Sequence, residues 1–173
     1  MPSIQEDMIE FRRQLRNGAI QKAYRALLAY MMNLQTDFKN KYPSYGTSGL
    51  YHGYMDMTYF AIFPKSLKQR DLKIAIVFNY EAFRFEVWLA GSNRKVQQQY
   101  WELFRDSQWH EYHVVAPAKG VDAIVEYTLA EDCDFGDLDS LTAGIEKNTI
   151  KFIDDMERFL RGGVSGEGEE ASR

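Results

Sequence analysis

The sequence lacks the features that mark secreted, membrane-spanning and nucleic-acid-binding proteins. Its single cysteine, Cys133, cannot form an internal disulfide, which excludes the disulfide frameworks of small secreted domains. The chain has no apolar run as long as a membrane-spanning helix, and its first residues do not resemble a signal peptide. A net charge of -4 argues against general nucleic-acid binding, which uses a basic surface. We therefore expect a cytoplasmic protein that binds neither membranes nor nucleic acids.

The residues that are present favour one folded domain. A chain of 173 residues with 45% hydrophobic content can bury a core of its own. The 11 tyrosines and 11 phenylalanines suit a sheet better than a plain helical bundle. We predict a single domain over residues 1–163, followed by a disordered tail over residues 164–173, "VSGEGEEASR".

Caps and apolar spacing indicate four helices. Ser3 and Glu6 form a capping box for the first, and Asn17-Gly18 provides its stop. Further helices are predicted at about 19–39, from Arg94 onward, and at about 138–161. Alternating apolar residues predict strands at about 54–63, 72–78, 83–89, 110–115 and 123–129. The order predicts an α+β fold, in which an antiparallel sheet of about five strands carries the helices mainly on one face.

A hairpin register follows from the apolar pattern of the second and third predicted strands. If Phe78 pairs with Phe83 across a four-residue turn, the apolar residues of both strands share one face. The other face then carries Arg84, with Lys73 opposite Trp88. In this register Glu86 lies diagonal to Lys73, close enough for a cross-strand ion pair.

The stretch "WLAGSNRK" places positive charge at the start of a helix. Backbone N–H groups there are unpaired and carry partial positive charge, so anions are favoured and cations are not. The candidate anion site comprises Ser92, Asn93, Arg94 and Lys95. The alternative interpretation is that the two long basic side chains simply extend into water.

The adjoining sheet face is the candidate surface for a ligand or a protein partner. Trp88 offers a stacking surface, and tyrosines combine large contact area with a polar tip. This surface comprises Lys73, Arg84, Glu86, Trp88, Tyr45 and Tyr51. The alternatives are a solvated face with weak charge pairs, and tyrosines that pack the sheet edge or a homodimer contact.

Motifs of metal and catalytic sites fail on their spacing. In "WHEYHVV" the histidines His110 and His113 are three residues apart in a predicted strand, whereas a zincin helix needs a separation of four. "EDCDFGDLDS" lacks the glycine position and the bidentate glutamate of a calcium loop, and its acids suit the start of the following helix. We therefore expect no cofactor, no metal site and no catalytic residue that a motif alone would identify.

The block "FAIFPKSLKQRDLKIAIVFNYEAFRFEVWLAGSNRKVQQQYWELF", from Phe60 to Phe104, resembles an uncharacterised bacterial family of about this length, a domain of unknown function. The resemblance extends over most of the chain short of the tail. It implies a small, cytoplasmic, stand-alone bacterial domain, and it transfers no catalytic assignment.

Two classes of function remain open. The first is a non-enzymatic binding or interaction module with an anion site near Ser92, whose partner is a small anionic ligand, a protein or a second copy of the chain. The second is a small hydrolase or transferase acting on a phosphorylated or carboxylated metabolite, with Lys73, Glu86 and a histidine around one site. A hydrogen bond between Glu86 and a histidine would favour the enzyme.

Overall fold

The helices begin and end at residues whose chemistry suits helix termini. In the computed structural model, which describes residues 1–162, Ser3 and Glu6 form the predicted capping box. Gly18 adopts the left-handed conformation, with φ of 73°, between the first two helices. The elements are α1 (Ile4–Leu15), α2 (Ala19–Lys41), β1 (Gly46–Thr47), β2 (Met57–Phe63), α3 (Lys65–Lys68), β3 (Leu72–Asn79), β4 (Arg84–Gly91), α4 (Arg94–Asp106), β5 (His113–Val114), β6 (Ala123–Ala130) and α5 (Leu138–Gly162).

The strands form one antiparallel sheet in the order β1-β2-β3-β4-β6-β5. The predicted α+β class is confirmed, with six strands where about five were expected. The additional strand, β1, lies between the second predicted helix and the first predicted strand, where no strand was predicted. Strand β5 covers two residues of the longer strand predicted at 110–115.

Helices α2, α4 and α5 pack on one face of the sheet, as predicted, whereas α1 buries no residue. Directly paired residues define this face, for example the row Phe60, Ile76 and Val87 across β2, β3 and β4. From α2, Phe38 lies against Phe60 with ring centroids 6.1 Å apart. All these side chains belong to one core cluster that also includes residues of α4 and α5.

The predicted register of the β3–β4 hairpin was wrong by two residues. Phe78 pairs with Phe85 and not with Phe83. The cause is the turn, because Asn79 and Arg84 still pair as strand residues while Phe83 adopts a φ of 53° inside the turn. A left-handed phenylalanine is uncommon, and no apolar pattern indicates it.

The corrected register keeps every side chain on its predicted face but changes its neighbours. Lys73 pairs with Ala90, and Trp88 pairs with Ala75. Glu86 pairs with Val77, two residues further from Lys73 than predicted. The expected Lys73–Glu86 ion pair is therefore absent from residues 1–162.

The face of the sheet away from the helices, called here the second face, carries the candidate site residues. One directly paired row on it runs Ala75, Trp88, Glu126 and His113 across β3, β4, β6 and β5. Within residues 1–162, no helix combines the length and the apolar character that a membrane crossing requires. The tail predicted at 164–173, like the last residue of the predicted domain, lies outside the described residues.

Candidate functional site

A cavity of about 220 Å³ lies on the second face, where β4 ends and α4 begins. Its floor is the sheet, one wall is the start of α4, and Asp122 lies at its rim. The lining residues are Tyr59, Lys73, Ala75, Trp88, Ala90, Gly91, Ser92, Asn93, Arg94, Gln97 and Asp122.

Small residues beside large ones create this hollow. Ala75 and Ala90 are buried in the floor, at 4% and 2% exposure, while Tyr59 and Trp88 stand beside them. Gly91 allows the chain to turn tightly from strand to helix. A Cβ at this position would lie 2.8 Å from the backbone nitrogen of Gln97, so any larger residue would displace the start of α4.

The Trp88 ring is held by a buried carboxylate. Its Nε1 donates to Glu86 Oε2 at 2.9 Å, and Glu86 is 3% exposed. Arg84 Nε donates to Glu86 Oε1 at 2.8 Å, and Asn79 Nδ2 donates to the same oxygen at 3.3 Å. The hydrogen bond from Arg84 to Glu86 raises the pKa of Arg84. Glu86 therefore positions Trp88 and is already occupied by three donors.

The start of α4 leaves two backbone donors unpaired. Asn93 is the cap, since its side-chain oxygen accepts from the Val96 N–H at 3.0 Å and its carbonyl accepts from the Gln97 N–H at 3.0 Å. Helix geometry gives Arg94 and Lys95 no partner inside the helix. Among residues 1–162 their N–H groups have no other backbone acceptor.

Arg94 ties the helix to the loop that precedes β6. Its Nη1 donates to Val121 O at 2.9 Å, to Gln97 Oε1 at 3.0 Å and to Ala118 O at 3.3 Å. All three acceptors are uncharged carbonyl oxygens, so they accept hydrogen bonds from the guanidinium without neutralising its charge. We call residues 118–122 the rim loop. Its attachment to Arg94 explains in part why a positive residue stands at this helix terminus.

Lys73 contributes a cation that has no counter-ion in the described part of the chain. Within residues 1–162, no carboxylate forms an ion pair with it, although Asp122 lines the same cavity. Burial, followed by the charge of Asp122, raises the pKa of the Tyr59 hydroxyl, which therefore stays protonated and able to donate. The cavity thus combines a cation, backbone N–H groups, a hydroxyl and an indole face.

The structure brings some of the predicted site residues together and separates others. Lys73, Trp88 and the 92–94 turn meet in the cavity, whereas Lys95 is exposed and does not line it. Arg84 and Glu86 line a neighbouring, more open groove that also contains His110 and His113. Within residues 1–162 no hydrogen bond joins Glu86 to either histidine. His113 Nδ1 instead lies 2.9 Å from Glu126 Oε1.

The two predicted surface tyrosines lie outside the cavity. Tyr45 stacks on Tyr42 with ring centroids 5.6 Å apart, and the Tyr42 hydroxyl donates to Glu146 of α5 at 2.8 Å. Tyr51 pairs with Tyr59, with ring centroids 5.1 Å apart, and so packs against the cavity wall. For Tyr45, the interpretation as packing at the sheet edge accounts for its surroundings.

Three polar lining residues were absent from the predicted site: Tyr59, Gln97 and Asp122. Alternation along β2 could have assigned Tyr59 to the second face once its register against β3 was known. Asp122 is distant in sequence from the other lining residues, and only the antiparallel pairing of β4 with β6 brings it near. No local signal predicts that approach.

The comparisons with known proteins identify a family but no activity. A family model, "Domain of unknown function (DUF7000)", matches residues 4–160, so the chain belongs to that family. This match covers the block that resembles an uncharacterised family in the sequence. No curated protein and no solved structure matches the chain.

Proposed function

We propose that this member of the DUF7000 family is a non-enzymatic binding module whose cavity takes a small anionic ligand, a phosphate or a carboxylate. The observation that carries the proposal is that Lys73 and Arg94 line the same hollow, since the backbone N–H of Arg94 is an unpaired donor at the start of α4. A cation and a helix N-terminus are both stabilised by an anion. Neither has an ionic partner in the described part of the chain.

The dimensions and the walls restrict the ligand further. A volume of about 220 Å³ suits a small metabolite. The Trp88 face favours a flat or apolar group beside the anion. Asp122 and the Tyr59 hydroxyl, which also line the cavity, suit a ligand that carries hydrogen-bond donors or acceptors as well.

The hydrolase or transferase hypothesis has weaker support. It requires Glu86 to act with a histidine, yet the hydrogen bonds of Glu86 go to Asn79, Arg84 and Trp88. A carboxylate committed to three donors is a poor general base. The proposal also places the protein in the bacterial cytoplasm, where its lone Cys133 would remain reduced.

The test is a titration of the wild type and of Lys73→Gln with inorganic phosphate and with a series of small aliphatic and aromatic carboxylates. Lys68→Gln, an exposed lysine of α3 outside the cavity, is the matched control. Removing one charge-assisted contact should weaken binding about five- to tenfold, equivalent to ~1 kcal/mol. Thermal shift measures the binding, and indole emission in a Trp101→Phe/Trp109→Phe background measures contact with Trp88.

The expected result is an anion that stabilises the wild type and the Lys68→Gln control equally, stabilises Lys73→Gln less, and changes Trp88 emission. Equal stabilisation of all three proteins would overturn the proposal, because the anion would then bind elsewhere. The absence of any stabilising anion in the series would overturn it as well.

A further inference from the structure

Helix α1 presents an apolar stripe that nothing in the described chain covers. Ile4, Met8, Phe11 and Leu15 follow the spacing of one helix face, and none of the twelve residues of α1 is buried. Ile4 is 77% exposed, Met8 53% and Phe11 50%. Helices in folded proteins normally bury such a stripe, since packing of the apolar face provides most of a helix's stability.

The same chain contains an apolar groove of about 500 Å³ that no side chain of residues 1–162 fills. It lies between the first half of α2 and the segment that leads into α5. Its main lining residues are Ile20, Tyr24, Leu27, Phe83, Phe135 and Leu138. Phe83 is 60% exposed, Leu138 43% and Phe135 41%, so the groove offers a large uncovered apolar area.

One edge of the α1 stripe and one wall of the groove carry charges of opposite sign. Arg12 and Arg16 flank the α1 stripe along one side, and neither forms an ion pair within residues 1–162. The groove wall that contains Phe135 and Leu138 also carries acidic side chains, all exposed. These are Asp134, Asp137 and Asp139. An amphipathic helix with a basic edge therefore matches the groove in both polarity and charge.

The composition of the chain beyond residue 162 argues against that segment as the occupant. Its only apolar side chains are Val164 and Ala171, and its other side chains include three glutamates. Glutamates beside the acidic edge of the groove would repel it. The apolar stripe of α1 fits the groove far better.

We propose that two copies of this chain form a symmetric dimer in which α1 of each copy packs into the apolar groove of the other. The inference is independent of the anion-binding proposal, since the groove and the cavity share no lining residue. The contact is reciprocal, and so it closes on itself with two-fold symmetry.

The short link between α1 and α2 favours an exchange between copies. Asn17 Oδ1 accepts from the Ala19 N–H at 3.0 Å, and Gln21 Nε2 donates to Leu15 O at 3.0 Å. These bonds fix the direction of α1 at the junction and leave its stripe uncovered. Docking in the same copy would require α1 to leave this direction, whereas docking on a second copy does not.

The dimer contains two equivalent contacts between α1 and a groove, and their combined area is what a stable interface requires. Specific interfaces bury on the order of 1,200–2,000 Å² in total. Helix α1 is about 18 Å long, so a single helix in a groove falls short of that area. Two such contacts per dimer double it, and Phe11 is the largest anchor in each.

The first experiment measures the mass of the full chain by sedimentation equilibrium from micromolar to millimolar concentration. The α1 variant is Met8→Gln/Phe11→Gln, and its control is Ile9→Gln, which is also 53% exposed but lies off the stripe. The groove variant is Phe135→Gln/Leu138→Gln, and its control is Leu103→Gln, 40% exposed on α4. All these residues are exposed, so circular dichroism should show the fold unchanged.

We expect a wild-type dimer, a dissociation constant raised at least about tenfold in the α1 and groove variants, and no change in either control. A wild type that remains monomeric throughout would overturn the proposal. A dimer that the groove variant leaves intact would overturn it too, because the interface would then lie elsewhere.

The second experiment mixes the two interface variants. In an exchanged dimer, the intact α1 of the groove variant can occupy the intact groove of the α1 variant, so the mixture should regain a heterodimer held by one contact. Docking within one copy allows no such rescue. Two variants that are monomeric alone and stay monomeric when mixed, at concentrations where one contact should suffice, would overturn the exchange.

Discussion

The cavity beside α4 and the groove beside α2 are both hollows in the surface, but the cavity lacks a counter-ion whereas the groove lacks cover for its apolar side chains. The cavity contains a cation and backbone donors without ionic partners in the described part of the chain, and its walls are small residues around a braced tryptophan. The groove contains aromatic and aliphatic side chains without cover, and almost no polar atoms.

This difference determines what each hollow can bind. An ion of opposite sign stabilises an unpaired charge, however small the ion is. Exposed apolar surface is stabilised only by a partner that covers a large area of it. The cavity therefore suits a small anion, and the groove suits the face of a helix. Their walls should also respond differently to mutation, because a hydrogen-bonded carboxylate braces the cavity and packing alone shapes the groove.

The largest expected effect comes from removing the carboxylate that braces Trp88. Glu86→Ala would remove a buried acceptor that Arg84 and the Trp88 N–H, both half-buried, share, at a cost of about 3 kcal/mol in the free energy of unfolding. Urea denaturation measures this value. The control Glu81→Ala, an exposed carboxylate in the nearby turn, should change it by no more than about 0.5 kcal/mol. Equal effects of the two substitutions would show that Glu86 does not brace the cavity.

A smaller effect is expected where β4 turns into α4. In Gly91→Ala the new Cβ would meet the backbone nitrogen of Gln97, and the strain should lower the free energy of unfolding by about 2 kcal/mol. Gly144 is the matched control, because it lies inside α5 and a Cβ added there would meet no heavy atom within 4 Å. There the same substitution should stabilise the fold by about 0.5–1 kcal/mol.

The two glycine variants also separate the cavity from the groove. Gly91→Ala should weaken anion binding, because it moves the α4 terminus, and should leave dimerisation unchanged. Gly144→Ala should alter neither. A Gly91→Ala protein with wild-type stability and anion binding would contradict the tight turn on which the cavity depends.

The sequence predicted the sheet face of a side chain and the caps of helices more reliably than it predicted which residues pair. Alternation assigned Lys73, Glu86 and Trp88 to one face, because a side-chain period of two is a local property. It did not fix the register, since a shift of two residues preserves the same alternation. The observed register depends on Phe83, because its left-handed backbone conformation places it in the turn and not in the strand.

The composition of the cavity was only partly predictable for a related reason. Lys73, Trp88 and the 92–94 turn are close in sequence or in paired strands, so local reasoning brought them together. Asp122 and the rim loop reach the cavity through β6, and Arg94 bonds to carbonyls that no side-chain pattern reveals. The groove was not predicted, because its two walls come from segments more than 100 residues apart, as Tyr30 of α2 and Thr142 of α5 illustrate.

The smallest expected effect is a pH dependence of the free energy of unfolding, which arises from contacts of the segment that leads to the rim loop. Tyr112, just before β5, donates from its hydroxyl to Asp155 Oδ2 at 2.6 Å, and Lys151 Nζ donates to the same oxygen at 2.6 Å. Burial and this bond raise the pKa of Tyr112 to about 12. Burial would by itself raise the pKa of the Asp155 carboxyl, but the hydrogen bonds from Lys151 and Tyr112 outweigh it and hold that pKa below its ordinary value.

The direction of the pH effect follows from that lowered pKa. The ionised Asp155 stabilises the fold at every pH above the ordinary aspartate value of 3.8, and this contribution is lost as the pH falls from there through the lower folded-state pKa. Asp155→Asn should therefore lower the free energy of unfolding at neutral pH and flatten its decline in acid. Urea denaturation between neutral and acid pH measures both, with the exposed neighbour Asp154→Asn as control. An acid decline as steep in Asp155→Asn as in the wild type would show that this carboxylate does not hold the segment. Because Trp109 packs against Tyr112, with ring centroids 5.6 Å apart, loss of the Asp155 charge should also change the fluorescence of Trp109.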